Sequence, residues 1–125
     1  MTNQSSDPAV LLAQAAKLKL FVMLRRTIDP ARLSEKLGDH LVWMIGEEKA
    51  GRIFLSGPVM PRAGAAALDG LTILRVSDLA EAEKIAALDP FVQAGIVTFE
   101  MREWIVNEGS IAMTVTLSDS TVAVS

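Results

Sequence analysis

Residues 18–24 read Leu18-Lys19-Leu20-Phe21-Val22-Met23-Leu24, and the placing of this stretch decides the fold. In an extended chain Leu18, Leu20, Val22 and Leu24 share one face. Phe21 and Met23 point the other way, with Lys19 at the edge. A strand apolar on both faces is usually covered on both. Asp29-Pro30 follows, an N-cap with proline at the first helical position. Steps of 100° from there put Leu33, Leu37, Leu41 and Met44 on one stripe of a helix. Gly38 and Gly46 weaken this helix by roughly 1 kcal/mol each relative to alanine, and Gly51 is placed to end it.

Working outward, Ile53 to Ser56 form a second strand, stopped by Gly57-Pro58. A loop from Pro61 to Ala67 leads to a third strand, Leu71 to Val76. Asp78 with Glu81 three residues on is a capping-box pattern. It opens a helix whose apolar face is Leu79, Ala82, Ile85 and Ala86. Asp89-Pro90 ends that helix, because a residue before proline is pushed out of the α region. Phe91 to Ala94 make one further turn, closed by Gly95. The fourth strand runs from Ile96 to Ile105, with Val97, Phe99, Met101 and Ile105 on one face. The order is β-α-β-β-α-β, the ferredoxin-like α+β fold, with both helices on one face of an antiparallel sheet. The opposite face, expected to carry Phe21 and Met23, is too apolar for solvent. A homodimer packed sheet to sheet is the expected solution.

The chain divides into an amino-terminal extension (1–17), this domain (18–105) and a tail (106–125). Asp7 and Pro8 open a short helix in the extension. Ala13-Gln14-Ala15 has the form of a signal-peptidase site, but Asp7 and the lack of Lys or Arg before it argue for the helix. In the tail Ile111, Met113, Val115 and Leu117 alternate with Ala112, Thr114 and Thr116. Ser118-Asp119-Ser120 is a turn, and Thr121 to Val124 return as a hairpin partner. Such a hairpin is not stable alone. It is expected to reinforce the dimer.

Composition narrows the classes of function. The 125 residues are 50% hydrophobic and 22% charged, with a net charge of −3, as in one globular domain. The densest basic stretch is Arg25-Arg26, too small for a nucleic-acid footprint. Absence of cysteine removes disulfides, thiolate metal sites and a cysteine nucleophile, and fits a cytoplasmic protein. With one histidine, a metal centre would need mainly carboxylates. No apolar run approaches the roughly 20 residues that span a bilayer. Gly64-Ala65-Ala66-Ala67 lacks the Lys-Ser/Thr of a phosphate loop. Neither a cofactor nor a metal is expected.

Certain motifs, taken in order, resemble the YciI-like (YCII-related) family of dimeric α+β barrels. They are His40-Leu41, Gly51-Arg52-Ile53, Ser56-Gly57-Pro58, Gly70, Asp89-Pro90-Phe91 with Gly95, and Trp104. The resemblance covers about Leu18 to Ile105. It implies a His–Asp pair lining a pocket, here His40 and Asp89, and an enzymatic role with no defined substrate. It also points to ring compounds. A dehydrochlorinase of chlorinated hydroxyquinols belongs to the family, and muconolactone isomerase shares the barrel.

Each candidate residue has an ordinary reading beside the functional one. His40 falls on the apolar stripe of its helix. There it is either a core histidine satisfied by a backbone carbonyl or a general acid/base. Asp89 caps the turn that follows it, orients His40, or does both with its two oxygens. Ser56 offers a hydroxyl to a pocket or simply ends a strand. Gly57 suits a positive φ or a close approach to a ligand, and Pro58 and Phe91 complete the substrate-binding set. Trp43 and Trp104 fit the core or an interface, with ring stacking as the other use. Arg75 and Arg102 are placed to reach an anionic substrate or to solvate a strand face. Two functions follow. One is a cofactor-free isomerase or lyase in which His40 moves a proton on a small cyclic or carbonyl-bearing compound. The other is a non-catalytic module that binds a small ligand or assembles.

Overall fold

The computed structural model describes residues 6–63, 68–116, 118 and 121–124. Its contacts separate two units: Lys19–Ile105, and the two ends of the chain, Met1–Leu18 with Val106–Ser125.

The first unit is built on four strands: β1 (Leu18–Thr27), β2 (Ile53–Val59), β3 (Asp69–Leu74) and β4 (Val97–Val106). They lie in the order β2-β3-β1-β4, with β1 and β2 both antiparallel to β3. That order is the one a β-α-β-β-α-β chain produces. Three helices connect them, besides a short 3₁₀ turn at Pro30–Arg32. Those placed here are α2 (Leu33–Lys49), α3 (Leu79–Ala86) and α4 (Pro90–Gln93); α1 (Pro8–Gln14) belongs to the chain ends.

The caps follow the local chemistry. Asp78 accepts the Glu81 N–H at 2.8 Å, while the Glu81 carboxylate accepts from Ser77 rather than reaching back to the cap. Asp29 makes no capping bond, because the 3₁₀ turn intervenes before α2 begins. Gly51, at φ +82°, supplies the left-handed residue that ends α2. Next to it Arg52 donates from Nε to Glu47, tying the last turn of α2 to the start of β2. The guanidinium is raised from its ordinary value by that bond and the neighbouring charge. The Gly-Arg-Ile motif therefore works as a helix stop, a tie and a core residue.

Core packing reverses one expectation about the first strand. Phe21 and Met23 are buried, and Phe21 clusters with Ile53, Leu74, Ala82 and Ile85 under Trp43 and Met44. These two side chains therefore face the helices, and the face turned away from the helices is the other one. Cross-strand pairing puts Val22, Ile73 and Leu55 on that other face, with Leu24 and Leu71 beyond. Leu55 is 63% exposed there. A second cluster of Phe91, Ile96 and Val97 gathers Leu33, Val92 and Ala94. Pro58 also differs from expectation: β2 runs through it to Val59. A proline is tolerated because β2 is an edge strand, whose outward N–H positions need no ladder partner.

Among the chain ends, α1 starts as expected, with Asp7 accepting the Ala9 N–H at 3.0 Å and Pro8 opening the helix. In the tail β5 (Met113–Thr116) pairs antiparallel with β6 (Thr121–Val124). Asp119 and Ser120 of the expected turn lie outside the described residues, as do Leu117 of the strand before it and residues 64–67.

Candidate active site

An open cavity of about 760 Å³ lies between α2 and the sheet. Leu33, Leu37, His40, Leu41 and Met44 form its helix wall, while Arg25, Ile53, Ser56, Gly57, Pro58, Gly70 and Val97 come from the strands. Phe91 enters from α4. The apolar stripe of α2 thus has a different purpose from the one its periodicity implies. Leu37 and Leu41 are each 47% exposed because they line an open cavity instead of filling a core.

On this stripe His40 is 7% exposed and bonded at one nitrogen. Its Nδ1 stands 2.8 Å from Asp89 Oδ1. Asp89 precedes Pro90, which fixes the start of α4, and the same Oδ1 accepts the Phe91 N–H at 2.9 Å. Acting as acceptor toward both, Oδ1 takes the imidazole proton from Nδ1 as a hydrogen bond. Nε2 is then the ring nitrogen with a free lone pair, and no other group among the described residues bonds to it. Asp89 is fully buried, and its Oδ2 has no hydrogen-bond partner among the described residues. One oxygen therefore carries both the cap and the histidine, where an oxygen for each was expected.

The imidazole is held by ring contacts as well. Phe91 stacks on it with centroids 4.2 Å apart and planes 20° apart. Trp43 approaches at 6.3 Å, tilted by 41°. With Asp89 fixing one edge and Phe91 one face, the ring has little freedom to turn.

The other candidate residues divide. Ser56, Gly57, Pro58 and Phe91 all line the cavity with His40, whereas Asp89 stands behind the histidine and does not. Gly57 has no positive φ, and a Cβ there would meet open space, so neither a strained turn nor a close packing contact explains it. Arg75 lies 5.3 Å over the Phe54 ring, and Arg102 stands 3.9 Å from Glu100; neither lines the cavity. Trp43 packs against the core cluster, and Trp104 is 45% exposed.

The arginine that does reach the cavity is Arg25. It is 8% exposed and donates from Nη1 to Thr72 Oγ1, which stands 2.7 Å from Ser56 Oγ. Burial lowers its guanidinium from the ordinary value, and the negative charge of Asp89 opposes that shift. The signal for it lay in the alternation of β1, where Arg25 shares the inward parity of Phe21 and Met23. Among the described residues no three His, Cys, Asp or Glu side chains gather as a metal site, and no helix is long and apolar enough to cross a membrane.

Comparison with known sequences places this geometry in a family. The sequence model of the YCII-related domain matches residues 10–105. The chain belongs to the YCII-related family. This match begins within the amino-terminal extension, ahead of the motifs that carry the resemblance. No curated protein matches the YCII-related chain. Among solved structures it is similar to 5-chloro-2-hydroxyhydroquinone dehydrochlorinase from Burkholderia phenoliruptrix, determined with 2,5-dihydroxybenzoquinone. The TM-score is 0.56 at 19% identity, over 68% of this chain and 92% of that one. At that identity the likeness speaks for the fold, the ferredoxin-like α+β architecture.

Proposed function

We propose that this YCII-related protein is a cofactor-free enzyme that transfers a proton at an acidic carbon of a small cyclic or carbonyl-bearing compound. The observation that carries the proposal is the Nδ1–Oδ1 bond of 2.8 Å on a histidine that lines an open cavity. Asp89 holds the tautomer in which Nε2 is basic, and favours the imidazolium formed when Nε2 takes a proton. The substrate carbon loses its proton to Nε2. Its electron pair then moves into an adjacent carbonyl. In an isomerisation it returns to another carbon, which takes the proton back from Nε2; in an elimination it expels a leaving group as an anion while Nε2 passes its proton to water. The apolar α2 wall and Phe91 suit a ring, and the dehydrochlorinase of similar fold works on a hydroquinol ring.

The family architecture and the apolar sheet face of Leu24 and Leu55 support a homodimer formed through that face. The apolar alternation in the tail sequence supports a part for it in the same assembly. Absence of cysteine supports a cytoplasmic setting.

The test is turnover of a panel of ring 1,3-dicarbonyls, unsaturated lactones and chlorinated hydroquinols, read as product formation or chloride release. His40→Ala should lower turnover by about 100-fold or more, the usual size of a general acid–base contribution, with the fold intact by circular dichroism. Undiminished turnover would overturn the proposal. Binding without turnover of any member by the native protein would favour the non-catalytic binding module.

A further inference from the structure

We propose that Arg25, Thr72 and Ser56 form a subsite for an anionic oxygen, so that the ligand of this cavity is a small organic anion. The inference deepens the function proposed above and rests on its reading of the cavity as the ligand site.

Three observations meet at Arg25. The first is burial without an ion pair: Arg25 is 8% exposed, and among the described residues no carboxylate stands within 4.0 Å of it. A guanidinium cannot shed its proton to escape that cost. Its contacts from Nη1, to Thr72 and to Met23 Sδ at 3.7 Å, are both uncharged. Asp89 acts on it through space and spends its bonded oxygen on His40 and Phe91. Asp69 and Glu48 also line the cavity, but neither bonds to the guanidinium.

The second observation is the polarity of the hydroxyl chain. Arg25 can only donate, so Thr72 Oγ1 accepts from it, and either hydroxyl of the Thr72–Ser56 pair can donate to the other; we infer that Thr72, polarised by the arginine, is the donor. With Thr72 as donor, the Ser56 proton is free to point into the cavity that Ser56 lines. Arg25 and Ser56 then each offer a donor to the cavity, as an anionic oxygen requires.

The third is the space kept for the guanidinium. Gly70 is the cross-strand partner of Arg25. A Cβ at Gly70 would stand 2.6 Å from both Nε and Nη2. The arginine therefore lies across the one residue type that admits it. A merely structural arginine would explain the burial, but not a donor chain ending in the cavity.

Two kinds of anion share this chemistry, a carboxylate and the ionised oxygen of an enol. Calorimetric titration of the full chain at neutral pH separates them, with benzoate for the first and 1,3-cyclohexanedione for the second. Benzamide and cyclohexanone are the neutral counterparts. The native protein should bind at least one anion more tightly than its counterpart. Arg25→Met should weaken that anion by about ten-fold or more, the usual weight of a charge-assisted hydrogen bond, and leave the neutral compound unchanged. Gly70→Ala, which keeps the charge and displaces the guanidinium, should act in the same direction and stands in if Arg25→Met fails to fold. His40→Ala should retain anion binding, which keeps this inference apart from the proton-transfer proposal. Equal binding of anions and neutral compounds, or equal losses of both in Arg25→Met and Gly70→Ala, would overturn the subsite while leaving the cavity as a ligand site. No binding of any probe would overturn both.

Discussion

In the proposed reaction His40 moves the proton, because two neighbours settle what each part of its ring can do. Asp89 takes Nδ1, Phe91 covers a face, and Nε2 is left as the proton acceptor. Those neighbours are consecutive but for Pro90, so a single tripeptide, Asp89-Pro90-Phe91, supplies the carboxylate bonded to the ring, the helix start and the stacking ring. The cap and the inward place of His40 were legible in the sequence, since the Asp-Pro pattern marks a cap and the helical wheel sets the stripe. The pairing with Asp89 came from the family resemblance, and the stacking of Phe91 on the ring left no mark in either. Arg25 was not legible in the same way. In a string it reads as half of a small basic pair. Its burial appears only when β1 alternates against β3 and Gly70 opens space across the ladder.

At the scale of elements, α2 shows why periodicity identifies a face without identifying what the face meets. Leu33, Leu37, Leu41 and Met44 recur as a core stripe would; Leu33 and Met44 do pack on the two clusters, yet Leu37 and Leu41 between them stand over a cavity. An apolar wall facing a ligand and one facing a core leave the same pattern in a sequence. Stability separates the two. Leu74→Ala removes a fully buried side chain and should cost about 2–5 kcal/mol. Leu41→Ala should cost about 1 kcal/mol or less, because a side chain 47% exposed gives up little burial and leaves no sealed void. Urea unfolding of both variants checks the difference, and equal losses would return the stripe to the core. The strand faces were misread for a related reason. Residues 18–24 are apolar at every position but Lys19, so alternation divides them into two sets without saying which set the helices cover. Phe21 at the heart of a helix-side cluster decides it.

For the whole molecule, the order of elements was legible from caps and breakers: Asp78, Asp89-Pro90, Gly51 and Gly95 all stand at the ends they mark. Copy number belongs to this scale too. The sheet face of Leu24, 42% exposed, and Leu55, 63% exposed, is the surface through which two copies are proposed to pair. Light scattering at micromolar concentration should give twice the chain mass of 13.4 kDa. Leu55→Lys should return it to a single copy, since a buried lysine on each side of a two-fold contact is left unpaired. A native protein that scatters as one chain would contradict the pairing.

The proposed proton transfer turns on one nitrogen, Nε2 of His40, and the chain contains a single histidine, so its ring can be observed without assignment. Nitrogen-15 spectra of the imidazole, taken at a pH where the ring is neutral, distinguish a protonated nitrogen from one with a bare lone pair. The account predicts the proton on Nδ1, toward Asp89, and a bare Nε2. A ring with its proton on Nε2 and a bare Nδ1 would contradict it.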